Sequence, residues 1–79
     1  MFQIVRLTLD HNGDIIARRL FQPLCELRDE AFIRARHEAS GLWADYGFDL
    51  KRQCWWGSDD RGLQYRFLVE EATAGDIAA

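Results

Sequence analysis

Apolar and β-branched residues crowd 2–9 and 15–21 into two β-rich runs, and in an extended chain successive side chains leave on opposite faces. Between these runs stands Asp10-His11-Asn12-Gly13-Asp14, and Asn-Gly between β-rich runs predicts a type I′ hairpin with Asn12 and Gly13 at positive φ. Setting His11 opposite Asp14 puts Leu9 against Ile16, Leu7 against Arg18 and Val5 against Leu20 on one face. Thr8 then meets Ala17, Arg6 meets Arg19 and Ile4 meets Phe21 on the other. The first face, the richer in aliphatic side chains, is assigned to the core.

Pro23 closes the second strand, and from about Cys25 the period becomes helical. Leu27, Ala31, Ala35, Ala39, Leu42 and Tyr46 form one stripe, with Phe32 and Trp43 on its flank. Alanines in mid-stripe let a helix sit close on a sheet, and Glu26, Asp29 and Glu30 suit the positive end of its dipole. The stop is placed at Gly47, a residue suited to a left-handed C-cap. Runs 48–56 and 63–70 then read as a second hairpin around Gly57-Ser58-Asp59-Asp60-Arg61-Gly62. In it Phe48, Leu50, Cys54, Trp56, Leu63, Tyr65, Phe67 and Val69 face the core. Arg18 and Arg52 are misfits, each directed toward the helix.

The sum is an α+β fold of order ββαββ, a four-stranded, mainly antiparallel sheet with one long helix on one face. Residues 1–71 form a single domain and 72–79 a flexible tail. Strand order 2-1-3-4 is preferred because every neighbouring pair is then antiparallel, and 2-1-4-3 stays open. The element order, with Asp29-Glu30-Ala31 near the helix start, resembles small bacterial domains of unknown function with a hairpin-helix-hairpin layout. That resemblance implies a fold and carries no functional residue across.

Trp55 and Trp56 are consecutive in a strand run, so one indole must leave on the face away from the helix. The registers above select Trp55. The uncovered face would then carry Ile4, Phe21, Trp55 and Leu68 among Arg6, Arg19, Lys51 and Arg66, an apolar cluster large enough to expect a cover. Aromatic and arginine side chains concentrate at the centres of interfaces, so the expected partner is a second copy of the chain, or another protein, stacked on this face. Single-stranded nucleic acid with Trp55 as stacking platform is the alternative. A net charge of −3 disfavours it.

The 79 residues allow one small core. No apolar run approaches the roughly 20 residues of a membrane span, and no export signal precedes the first strand, so the expected compartment is the cytoplasm, with Cys25 and Cys54 as free thiols. Catalytic chemistry finds few groups. His11 and His37 read as surface residues, the cysteines lack metal-ligand spacing, and Asp59-Asp60 reads as turn chemistry. No catalytic residue, metal or cofactor is expected, and the chain is read as a homodimeric interaction module.

Overall fold

A computed structural model describes residues 1–22, 24–42 and 45–72, with the side chain of Leu42 set aside. The expectations placed on Pro23, Trp43, the Leu42 side chain and 73–79 lie outside these residues. The fold is α+β, with one helix on a five-stranded antiparallel sheet: β1 (Phe2–Leu9), β2 (Ile15–Leu20), α1 (Arg28–Leu42), β3 (Asp45–Asp49), β4 (Cys54–Ser58) and β5 (Gln64–Glu71).

The first hairpin keeps most of its expected register, pairing Val5 with Leu20, Arg6 with Arg19, Leu7 with Arg18 and Thr8 with Ala17. Beyond Thr8 the register shifts so that Leu9 meets Ile15. The turn differs from the type I′ expected. Gly13 alone has positive φ, at 84°, and its N–H donates to the carbonyl of Asp10 at 3.0 Å. The Asp10 carboxylate accepts from the amides of Asn12 and Asp14, both at 2.9 Å. Asp59-Asp60-Arg61-Gly62-Leu63 repeats this construction between β4 and β5: Asp59 Oδ1 accepts from Arg61 and Leu63 at 3.0 Å, and Gly62 has φ 89°. In each loop a side-chain carboxylate holds the amides and a single glycine takes the left-handed position, the pattern of a type I turn with a following bulge. β1 pairs with β5, so both turns lie at one end of the sheet, where the exposed His11 ring leaves no room for a Cβ on Gly62.

The run 48–56 is broken by a turn that sequence reading does not find. Asp49 Oδ1 accepts from the amides of Lys51 and Arg52 at 3.0 and 3.2 Å, Arg52 returns an ion pair to Asp49 at 2.9 Å, and Gln53 takes φ 53°. The chain reverses once more than expected. Gly47 therefore lies in β3, and α1 ends one residue after Gly41.

The extra reversal also resets the sheet order, which is β2-β1-β5-β4-β3 instead of 2-1-3-4. With four strands, and β2 and β3 parallel across the helix, order 2-1-3-4 makes all neighbours antiparallel and 2-1-4-3 does not. A fifth strand flips the direction of the last one, which can then pair antiparallel with β1 along its whole length.

Helix α1 packs over β1, β3, β4 and β5 and leaves β2 beyond its reach. Ala31, Ala35 and Ala39 are fully buried, as the stripe predicts, while Leu27 is 66% exposed and Tyr46 belongs to β3. Small helix residues leave volume that large sheet residues fill. Ile4 and Phe67 complete the buried cluster with Cys25, bordered by Phe2, Phe21, Trp55, Tyr65 and Val69.

The face under the helix is thus the opposite of the one assigned for the first hairpin. Val5, Leu7 and Leu9 lie on the uncovered side. Val5 is nonetheless fully buried there, flanked by Leu20 and Leu68 on the neighbouring strands. An ion pair between Arg18 and Glu70, 3.5 Å, crosses β1 on that face. Arg18 and Arg52, expected to point at the helix, instead each meet a carboxylate in solvent.

Candidate functional site

The predicted interface residues do not share a face. Ile4, Phe21, Trp55, Arg6 and Arg19 stand on the helix side, Leu68 and Arg66 on the other, and Lys51 in the turn between β3 and β4. The parity rule itself holds, with the two indoles on opposite sides. Its assignment reverses because the turn at 50–53 resets the alternation, and Trp55 pairs with Phe67 beneath α1. There Trp55 packs against Phe48 at 5.1 Å and Tyr46 at 6.4 Å between ring centroids, with the Arg36 guanidinium 5.8 Å from its own.

Trp56 is the indole on the uncovered side. Its register partner in β3 is Gly47, where an added Cβ would lie 2.9 Å from the indole ring. Glycine is required at that position because the ring lies flat on the backbone. The outward tryptophan is therefore half-buried against its own sheet, and the aromatic platform expected for a partner or for nucleic acid is not formed by Trp55. Beside Trp56, a shallow depression of about 270 Å³ is lined by Asp49, Arg52, Cys54, Gln64 and Arg66.

A more distinctive arrangement lies where the helix stops short of β2. Arg6, Arg19, Phe21, Gln22, Arg34 and Glu38 line a cleft of about 420 Å³. Arg6 lies 5.4 Å from the centroid of Tyr65 and 6.0 Å from that of Phe21, and Arg19 lies 5.4 Å from Phe21. Arg6 faces Arg19 across the first hairpin, a like-charge pair that is destabilising by itself, and the rings beside the two guanidiniums offset that cost. Arg34 donates to the Gln22 carbonyl at 2.6 Å. Arg6 Nε is buried without a hydrogen-bond partner among the described residues.

Sequence reading names Arg6, Arg19 and Phe21 but misses Gln22, Arg34 and Glu38. A signal was present: Arg34 and Glu38 each precede an alanine of the buried stripe, on the flank opposite Phe32 and Arg36. Only the strand order shows that this flank looks toward β2.

The turn carboxylates shape the response to pH. At Asp59 burial alone would raise the pKa, but hydrogen bonds from Leu63, Tyr65 and Arg61 outweigh it and hold the group below its usual 3.8. Asp49 is likewise lowered, chiefly by the Arg52 side-chain hydrogen bond. Burial raises Cys54 above 9.0, aided by Asp49, and raises Tyr65 above 10.0, aided by its hydrogen bond to Asp59. A carboxyl with a depressed folded pKa stabilises above its unfolded value and loses that contribution as pH falls through the folded one. A thiol or phenol with a raised folded pKa stabilises below its unfolded value and loses that contribution as pH rises through the folded one.

Urea midpoints are therefore expected to form a plateau that falls below about pH 4 and again above about pH 9. Asp59→Asn should flatten the acid limb. An acid limb unchanged in that variant would remove Asp59 from this role.

Three exposed aliphatic side chains share one strand. All six residues of β2 are exposed, with Ile15 at 58%, Ile16 at 56% and Leu20 at 44%. β2 is an edge strand. The hydrogen bond from Phe21 N–H to the Ile4 carbonyl, 2.9 Å, sets the alternation, so that the amides of Arg18 and Leu20 point away from β1. No group of three or more potential metal ligands occurs among the described residues, and no helix among them is long and apolar enough to cross a membrane. The chain matches no protein-family model, no curated protein and no solved structure.

Proposed function

We propose that this chain is a cytoplasmic interaction module that pairs with a second copy of itself through the free edge of β2. The observation that carries the reading is that every residue of this edge strand is exposed, with three large aliphatic side chains beside outward backbone groups that have no strand partner among the described residues. Such an edge is a template for strand addition. Arginines on an edge ordinarily discourage pairing, but here Arg18 is drawn to Glu70 and Arg19 to the Phe21 ring.

A two-fold antiparallel pairing centred on Ala17 sets Arg18 opposite the second copy's Ile16 and Arg19 opposite its Ile15. Centring on Arg18 would place like charges in contact, so the first register is favoured. Cys25 and Cys54 are buried, unbridged thiols on opposite faces of the sheet. The role proposed is binding, without catalysis.

Sedimentation equilibrium tests this reading. A six-residue edge makes a small interface, so a dimer with a dissociation constant of roughly micromolar order is expected. Replacing Ile16 and Leu20 together by lysine should weaken it by about a hundredfold or more while the monomer keeps its fold. A wild-type chain that stays monomeric at millimolar concentration would reject the reading, as would a dimer indifferent to both lysines.

A further inference from the structure

We propose that the cleft between the end of β2 and helix α1 binds a phosphomonoester, with Arg6, Arg19 and Arg34 holding the phosphoryl oxygens. The charge balance selects the ligand class. Three guanidiniums against the single carboxylate of Glu38 leave two positive charges among these lining residues, and guanidinium stays protonated at any physiological pH. A phosphomonoester carries about −1.5 to −2 at neutral pH, whereas a carboxylate or an internal phosphodiester supplies only one negative charge. The chain as a whole is acidic, so the cleft stands out against its own protein.

The donors are also held in place. Arg6 and Arg19 share the Phe21 ring, Arg6 is further held against Tyr65, and Arg34 is tied to the Gln22 carbonyl. Their side-chain entropy is in large part lost before any ligand arrives, which favours tight recognition. Arg6 Nε is itself buried, so the Arg6 side chain is fixed at its stem and presents its terminal nitrogens to the cleft that it lines. At about 420 Å³ the cleft exceeds a bare phosphate and lies in the range of small-molecule sites. Phe21 gives the organic part of an ester an apolar wall. The proposal stands apart from self-pairing of β2, because it uses the helix-side surface and not the strand's free edge.

The test follows the Nε–H resonances of Arg6 and Arg19 by nuclear magnetic resonance in the full chain, at constant ionic strength set with chloride. Inorganic phosphate and phenyl phosphate should shift both resonances saturably, the ester at least fivefold more tightly than the bare ion. Affinity should rise between pH 5.5 and 7.5, as the second phosphoryl proton leaves near pH 6. Arg6 is wedged among aromatic rings and its replacement endangers the fold, so Arg19→Gln on the exposed strand is the informative variant. It should weaken phenyl phosphate tenfold or more with an unchanged amide spectrum elsewhere. The proposal fails if acetate shifts the resonances equally, if Arg19→Gln leaves the affinity unaltered, or if an oligonucleotide lacking terminal phosphate competes as well as the ester.

Discussion

Replacing Phe67 by alanine is expected to bring the chain to the edge of unfolding. Phe67 is fully buried at the centre of β5, flanked by Arg6 on β1 and Trp55 on β4, with the alanines of α1 packed above. Those alanines have no side-chain atoms with which to close a void. Truncating a buried phenylalanine costs about 3–5 kcal/mol, and a chain of this length has a total stability of roughly 4–12 kcal/mol. Urea unfolding should show the midpoint lowered by a third or more, or no cooperative transition at all. Phe67→Leu, which keeps most of the volume, should cost about 1.5 kcal/mol or less. Equal midpoints for Phe67→Ala and wild type would mean that the helix does not seal on this ring.

Trp55→Ala should be the second most damaging substitution, at about 3 kcal/mol, because it removes the ring that Phe48, Tyr46 and Arg36 share. Trp56→Ala should cost clearly less. Trp56 rests on Gly47 on the uncovered side and has no part in sealing the helix. The comparison discriminates between the two faces, since it would reverse if Trp56 were the indole beneath α1. Trp55→Ala should also leave self-association unchanged. β5 and β1 separate β4 from β2, so the ring lies about 14 Å from the β2 edge. A dimer lost on Trp55→Ala, in a chain still folded, would move the interface away from β2.

Most errors of sequence reading in the second half of the chain trace to one missing turn signal. The turn after Asp49 contains no glycine, proline or asparagine, and its left-handed position is held by Gln53. An aspartate followed by Leu50, 77% exposed, and two basic residues is a weak marker of a turn. Missing it merged two strands, misplaced Trp55 and Trp56, and favoured the wrong sheet order. In the first hairpin the pairing was legible because Asn12-Gly13 marks the turn between two β-rich runs. The choice of face was not, since Val5, Leu7 and Leu9 on one side rival Phe2 and Ile4 on the other.

Local chemistry alone determined the first hairpin's central register, the buried alanine stripe and the opposition of the two adjacent indoles. These depend on backbone geometry and side-chain period, which act over a few residues. Which face the helix covers was decided only in three dimensions, because it depends on how large sheet side chains fill the space above alanines from a distant segment. The same packing leaves β2 beyond the helix and brings Arg34 and Glu38 beside Arg6 and Arg19. A free edge and a basic cleft result from that offset, and nothing in the spacing of residues along the chain encodes it directly.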